Sequence, residues 1–200
     1  MDFGKLAKQV EQLKKSKIKE IIDKRIQEFK NNKNFFNELC FCILTANFNA
    51  ERSILIQKEI GNRFLTLSEK ELANKLKELG HRFPNTRAKY IVENRKYANK
   101  LQDIVNYLNT REWLVNNIKG LGYKEASHFL RNIGFDDYAI VDFHILDLLN
   151  KYNVNITRPL TKSKYLGVEN ILRNLAVKLD LTLAELDLYL WYIETGKVLK

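Results

Sequence analysis

The sequence contains little cysteine, proline and glycine for its length. Its 200 residues include 2 Cys, 2 Pro and 8 Gly. Two thiols cannot supply the four ligands of an iron–sulfur cluster or a structural zinc site. Cys40 and Cys42 lie on different sides of a predicted helix, where a disulfide between them has poor geometry. We therefore expect both to be buried apolar residues, and the 3 scattered histidines to form no metal site.

Long apolar runs, alternating patterns and internal repeats are also missing. No apolar run approaches the roughly 18 residues that span a bilayer, and the first 20 residues lack the apolar segment of a signal peptide. We therefore expect a cytoplasmic protein without a membrane partner. Because period-2 alternation and helix breakers are nearly absent, the pattern predicts an all-α fold.

Positive charge is in excess. Lys and Arg number 34 against 24 Asp and Glu, which gives a formal net charge of +10. Such a balance favours a polyanionic partner, either nucleic acid or an anionic membrane. The absence of a spanning segment places nucleic acid ahead of the membrane.

Helix signals cover most of the chain. Apolar residues at 18, 21, 22, 26 and 29 predict one face of a first long helix. The segment 35–47, "FFNELCFCILTAN", is apolar all round, as expected for a helix at the centre of a bundle. Capping boxes and closing glycines predict helices over 68–80 and 182–196. Further helical patterns cover roughly 85–99, 110–118, 123–132, 142–151 and 163–179.

The segment 118–134, "IKGLGYKEASHFLRNIG", predicts a helical hairpin. Gly120 and Gly122 permit positive φ and a close backbone approach, so we expect a tight turn between two helices. The free N–H groups at the start of the second helix then form a seat for a phosphate. A turn of this kind is also found in helical hairpins without any such role.

Lys124 falls in the first turn of that second helix. The helix dipole destabilises a cation at this position by roughly 0.3–1 kcal/mol. The dipole and an apolar environment would both favour the neutral amine, which is a nucleophile for an electrophilic carbon. The alternative is a surface lysine that contacts a DNA phosphate or water.

Asp142, in "AIVDFHILDLL", precedes an apolar helical run at a typical N-cap position. As an N-cap it accepts backbone N–H bonds and stays ionised, so that it can stabilise positive charge developing at a reaction centre. The alternative is that Asp142 is a cap and nothing more.

The order Gly-x-Gly-x-Lys, helix, Val-Asp-x-His resembles the helix–hairpin–helix DNA glycosylases. With "ELCFCILTANFNAE", "LGHRFPNTRAKYIV" and the terminal "ELDLYLWYIETGKVLK", nearly the whole chain is similar to the archaeal-type 8-oxoguanine DNA glycosylase/AP lyases. The resemblance implies an all-α fold with two helical subdomains flanking a cleft. Residues 36–134 would form a bundle with the hairpin, and residues 1–35 plus 135–200 would form the second subdomain.

The same resemblance implies the chemistry and the partner. Lys124 falls on the family's nucleophile, which attacks C1′ of a flipped deoxyribose, displaces the oxidised base and forms a Schiff base that permits β-elimination of the 3′ phosphate. Asp142 falls on the essential aspartate. We expect no metal and no cofactor, a monomer, and double-stranded DNA containing 8-oxoguanine as the partner, in a prokaryotic cytoplasm and at the nucleoid when acting.

Other site residues follow from the resemblance alone. Asn47 would fill the gap left by the flipped base, Phe83 would stack on that base, and the terminal carboxylate of Lys200 would accept the N7–H of 8-oxoguanine; Trp191 and Tyr192 would wall the pocket. The structural alternatives are a helix C-cap for Asn47, a core position for Phe83, a frayed tail for Lys200 and core packing for the other two.

Phosphate contacts form the last predicted set. Basic side chains near the hairpin and the base pocket would position the duplex without reading its sequence, and charged helical faces are otherwise simply solvated. The candidates are Gly120, Gly122, Arg82, Arg87, Lys89, Lys119, Arg131 and His144.

Three other functions remain open at this point. The lysine and aspartate also suit a glycosylase for other oxidised or pyrimidine bases. A non-catalytic helix–hairpin–helix module would bind DNA but has no need of a nucleophile paired with an ionised acid. A membrane-surface protein is the remotest alternative, because the lysines are spread over many helices.

Overall fold

The computed structural model describes residues 3–154, 156 and 159–200, and this part of the chain contains α-helices, short 3₁₀ turns and no strand. The all-α prediction is confirmed. In chain order the helices are α1 (Phe3–Lys14), α2 (Lys17–Asn31), α3 (Phe35–Thr45), α4 (Ala50–Ile60), α5 (Glu69–Glu78), α6 (Pro84–Asn94), α7 (Leu101–Ile104), α8 (Thr110–Asn117), α9 (Tyr123–Asn132), α10 (Phe143–Lys151), α11 (Lys162–Lys178) and α12 (Leu183–Thr195). None of the described helices is both long and apolar enough to span a membrane.

The chain divides into two compact units. The hairpin unit is Lys33–Ile133, and the terminal unit is Met1–Asn32 with Gly134–Lys200. The sequence predicts a division into residues 36–134 and residues 1–35 plus 135–200. The assignment of these parts as subdomains that flank a cleft stays a prediction.

Helix α3 is the centre of the hairpin unit. It packs against α4, α6 and α9, and nearly every one of its side chains is buried. Cys40 and Cys42 are fully buried, as predicted, and neither is in a disulfide; burial raises the pKa of Cys40 well above its ordinary value. An apolar circumference explains this position, because only a helix surrounded by others can bury every face.

Helix α12 has the corresponding place in the terminal unit, where it packs against α2, α10 and α11. The predicted capping box of Thr182 and Glu185 is present, and Gly196 ends the helix with φ +72°. Tyr189 is almost fully buried, and desolvation raises its pKa to about 12. Opposite α12, the helix α2 buries only part of the predicted face, since Ile21 is 49% exposed.

Three of the described helices, α1, α4 and the four-residue α7, fall outside the segments that the sequence predicts to be helical. Helix α1 buries only Leu6 and Val10, too few apolar positions to establish a period. Helix α4 begins at Asn49, whose side chain accepts a hydrogen bond from Arg52 N at 2.9 Å. Each is short or weakly patterned, so tertiary packing decides its conformation.

Candidate active site

The predicted hairpin is formed by α8, a tight turn and α9. Gly120 has φ +88°, and a Cβ atom there would lie 2.7 Å from Cδ2 of Tyr90. The buried Asn94 holds the turn from α6, because its side chain donates to Lys119 O at 2.9 Å and accepts from Lys119 N at 3.1 Å. The turn is therefore fixed in a conformation that only glycine fits at residue 120.

Gly122 does not adopt the positive φ that we expected in this turn. It has φ −95°, so its conformation is open to other residues, and it is the N-cap of α9. Its N–H donates to Oε2 of Glu125 at 3.1 Å. The predicted phosphate seat at this helix start is thus occupied in part by a carboxylate, which would repel a phosphate.

Lys124 lies in the first turn of α9, as predicted. Its side chain is 24% exposed, and Nζ lies 3.0 Å from Oε1 of Glu125. The second oxygen of that carboxylate holds Gly122 N, so Glu125 ties the lysine to the backbone of the turn. Sequence reasoning missed Glu125, although a glutamate three residues after an N-cap is the signal of a capping interaction.

Asp142 is the N-cap of α10, as the sequence predicted. Its Oδ1 accepts a hydrogen bond from Ile145 N at 2.9 Å. The residues that lead into it are held by α11, since the Tyr165 hydroxyl donates to Ala139 O at 2.7 Å and accepts from Val141 N at 3.2 Å. Asp142 thus lies at a fixed point of the terminal unit, with its carboxylate at the positive end of a helix dipole.

His144 and Trp191 lie together in the terminal unit. Their ring centroids are 5.0 Å apart in an edge-to-face arrangement. Phe143 is next to His144 and is 53% exposed. The buried indole Nε1 of Trp191 has no hydrogen-bond partner among the described residues. Lys200 is partly buried, as is Tyr192.

Asn47 follows the last turn of α3. It has φ +56° and is exposed to solvent. Asparagine is one of the few residues that tolerate this left-handed conformation, which commonly ends a helix. The structure therefore supports the C-cap description, and it also presents the amide at an exposed turn.

Phe83 is the N-cap residue of α6 and is partly exposed. The guanidinium of the exposed Arg82 lies over its ring at 5.0 Å, and that of Arg87 lies 5.6 Å from the ring centroid. The ring of His81 accepts a hydrogen bond from Phe83 N at its Nδ1 (3.0 Å).

Two of the predicted phosphate contacts disagree with the structure. Arg87 is 8% exposed and donates to Ala46 O at 2.6 Å, and Arg131 is 4% exposed and donates to Asn132 Oδ1. Both are held inside the hairpin unit, where they cannot reach a phosphate without unfolding their surroundings. Of the other side chains, Arg82, Lys89 and Lys119 are exposed and His144 is partly buried.

Comparison with known proteins identifies the family. The model of the 8-oxoguanine DNA glycosylase family matches residues 22–181. The chain belongs to this family. It is 59% identical to the 8-oxoguanine DNA glycosylase/AP lyase of Methanocaldococcus jannaschii over 98% of this chain and 99% of that protein. The corresponding protein of Thermotoga maritima is 45% identical over 96% of this chain and 98% of its own length.

Solved structures agree with this family membership. The Methanocaldococcus jannaschii 8-oxoguanine glycosylase/lyase in complex with DNA containing 8-oxoguanine superposes with a TM-score of 0.94 at 57% identity, over 98% of this chain and 99% of that one. The 8-oxoguanine DNA glycosylase of Thermotoga maritima gives a TM-score of 0.93 at 45% identity, over 99% of this chain and 100% of that one. The helix–hairpin–helix glycosylase fold that the sequence predicted is confirmed.

Proposed function

We propose that this chain is a bifunctional DNA glycosylase/AP lyase that excises 8-oxoguanine from double-stranded DNA and acts as a monomer. The observation that carries the proposal is the position of the Lys124 amine, in the first turn of the helix that follows the Gly120 turn. Full-length similarity to relatives named for both activities supports it. The excess of positive charge suits a DNA partner.

In this mechanism Lys124 Nζ attacks C1′ of the flipped nucleotide. The bond from C1′ to the base breaks, and the base leaves with the electron pair and takes up a proton. The sugar ring opens as the imine forms between Nζ and C1′. Loss of a proton from C2′ then expels the 3′ phosphate by β-elimination.

Glu125 and the dipole of α9 determine how the Lys124 amine becomes a nucleophile. A protonated amine is not a nucleophile, so its ion pair with Glu125 must part and its proton must leave before attack. The helix dipole assists both steps, because it opposes positive charge at this end of α9. The Asp142 carboxylate lies at the N-terminus of α10, and in this mechanism it stabilises the positive charge that develops on the sugar.

The flipped base requires a pocket and the duplex requires a filler. We assign Phe83 to stacking on the base, Asn47 to the vacated position in the duplex, and Trp191 and Lys200 to the base pocket. The partly exposed ring of Phe83, the exposed Asn47 and the unpaired indole N–H of Trp191 support these roles. Flipping the base out of the duplex costs a few kcal/mol in lost stacking and pairing. Both contacts are therefore needed to hold the nucleotide in its flipped position.

The test is a comparison of four duplexes that carry 8-oxoguanine, thymine glycol, an abasic site or no lesion. We expect base release and strand nicking with 8-oxoguanine, nicking at the abasic site, and neither product from the other two. Release of thymine glycol alone would keep the mechanism and overturn the substrate. Tight binding with no product from any duplex would overturn the enzymatic function in favour of a DNA-binding module.

A further inference from the structure

The C-terminal end of α3 is held by side chains from the segment that carries Phe83. His81 Nε2 lies 3.0 Å from Leu44 O, and Arg87 Nη2 lies 2.6 Å from Ala46 O. Because a carbonyl oxygen only accepts, His81 must carry its hydrogen on Nε2. Both bonds satisfy carbonyls that the helix leaves without partners at its end.

The second ring nitrogen of His81 reaches forward to Phe83. Phe83 N donates to Nδ1 at 3.0 Å, so the ring is neutral, with one nitrogen as donor and the other as acceptor. His81 is 4% exposed. Burial lowers its pKa, and the charge of Arg87 contributes in the same direction, while the bond to Leu44 O opposes them. A single neutral imidazole therefore joins two backbone segments.

Arg87 makes the second connection between the same segments. Its guanidinium lies 5.6 Å from the Phe83 ring centroid while it donates to Ala46 O. Its own backbone N–H donates to Phe83 O at 3.1 Å, in the first turn of α6. Desolvation by burial lowers the pKa of this guanidinium. Its Nε has no hydrogen-bond partner among the described residues, so the bond to Ala46 O and the aromatic faces replace only part of the lost water.

The connected segments carry two of the residues assigned to DNA. Ala46 is followed directly by Asn47, at the exposed turn with φ +56°. The next ring, Phe48, packs on His81 with centroids 4.2 Å apart. The turn that presents Asn47 and the helix start that presents Phe83 thus share one buried support.

We propose that His81 and Arg87 are positioning residues that clamp the Asn47 turn to Phe83, so that the gap-filling amide and the base-stacking ring keep a fixed spacing. The proposal rests on the roles assigned to Asn47 and Phe83 above. It has a physical purpose, because a flipped nucleotide needs both contacts at once and a misplacement of about 1 Å can reduce a rate by about 10²-fold.

Two substitutions of His81 separate the halves of the clamp. His81→Gln places an amide near the Nε2 position and keeps the bond to Leu44 O, but it loses the acceptor for Phe83 N. His81→Asn places its oxygen near the Nδ1 position and keeps the Phe83 bond, but it loses Leu44. An abasic site has no base to stack, so it reports on the Asn47 half alone.

The expected results differ between substrates. His81→Gln should lower kcat/KM on the 8-oxoguanine duplex by about tenfold, the effect of one lost hydrogen bond, and leave abasic-site cleavage unchanged. His81→Asn and Arg87→Met should lower both activities by a similar factor. Equal losses on both substrates in His81→Gln, or no loss in any variant, would overturn the proposal.

Arg95 provides the matched control. It also bonds backbone carbonyls within the hairpin unit, since it donates to Phe64 O at 2.8 Å and to Leu67 O at 2.5 Å. Arg95→Met removes comparable bonds without touching Asn47 or Phe83. It should lower stability but neither activity; the same selective loss in this control would also overturn the clamp.

Hydrogen exchange of the free protein tests the coupling without catalysis. His81→Asn breaks only the bond to Leu44 O, so a clamp predicts faster amide exchange at residues 81–84 as well as at 44–49. Faster exchange at 44–49 alone would refute the coupling. If the unaltered protein cleaves neither duplex, the proposed function fails, and the exchange result still decides whether the clamp exists.

Discussion

The starts of helices α9 and α10 use the same backbone feature in opposite ways. Helix α10 begins at Asp142, whose carboxylate accepts from the Ile145 N–H and lies where the helix dipole favours a negative charge. Helix α9 begins at Gly122, which has no side chain to cap with, and it carries the cation Lys124 where the dipole disfavours one. One helix start stabilises the charge of its residue and the other destabilises it.

This difference matches the two roles that the chemistry requires. A nucleophilic amine must shed its positive charge, whereas an electrostatic stabiliser must keep its negative charge through the reaction. Glu125 moderates the contrast, because its carboxylate pairs with Lys124 at 3.0 Å in the free protein. The start of α6 is a third arrangement, in which the N–H of Phe83 is held by the neutral ring of His81.

Removal of the Lys124 amine should cause the largest loss of activity. Lys124→Gln should reduce strand nicking at 8-oxoguanine to below about one thousandth, because the proposed imine forms on the amine that this change removes. DNA binding and folding should persist, since the Lys124 side chain is partly exposed and the Glu125 carboxylate keeps its hydrogen bond from Gly122 N. The measurement is single-turnover nicking on a denaturing gel.

Lys70→Gln is the control for that experiment. It removes an exposed lysine on α5 of the hairpin unit that has no assigned role in the site, and it should retain nearly full activity. Substantial nicking by the Lys124 variant, at the level of this control, would contradict the nucleophile assignment.

Removal of the negative charge of Asp142 tests the role of the second helix start, that of α10. Asp142→Asn should lower turnover by about 10²-fold or more through the lost charge, while asparagine still caps the helix. Asp142→Ala should add a loss of about 1 kcal/mol in the free energy of unfolding. Denaturant unfolding and turnover are measured on both variants.

Thr161→Ala separates capping from catalysis. Thr161 caps α11 through Lys164 N at 3.3 Å, so its loss should reduce stability to a comparable degree and leave turnover unchanged. If Asp142→Asn keeps its activity while Asp142→Ala loses stability, Asp142 is a cap only.

Glu125→Gln should have a smaller effect than the two preceding changes, and it should raise the rate of base release. The amide keeps an acceptor for Gly122 N but removes the ion pair with Lys124, so no contact with a carboxylate has to break before the amine attacks. Since a pair of this exposure contributes at most about 1 kcal/mol, the rate of base release near neutral pH should rise by no more than about fivefold. A fall of tenfold or more would instead make Glu125 necessary for the attack.

We expect the smallest effect at the start of α6, where His81 makes the free energy of unfolding depend on pH. The pKa of His81 is lowered from its usual 6.5, so the folded protein binds this proton less readily than the unfolded chain. The stability contributed by the neutral ring is therefore present above that usual pKa and decreases as the pH falls below it. Urea unfolding on either side of pH 6.5 should show a steeper acid loss in the unaltered protein than in His81→Gln; equal losses would contradict this account.

The sequence predicted the features that depend on local pattern. The capping boxes, the buried α3, the hairpin and the N-cap Asp142 follow from residue spacing and helix-end chemistry. It did not predict that Arg87 is buried under Phe83, or that Glu125 occupies the N–H of Gly122. Those depend on contacts between segments or on rotamers, and a charged residue is read from sequence as exposed unless its partner is known.

The most direct test of the central claim is reduction of the covalent intermediate. Borohydride added to the protein and an 8-oxoguanine duplex should trap an adduct on a denaturing gel, and mass spectrometry should place the DNA-derived mass on the peptide that contains Lys124. The adduct should be missing with undamaged DNA and with Lys124→Gln. An adduct on a different lysine, or nicking without any trapped adduct, would contradict the account.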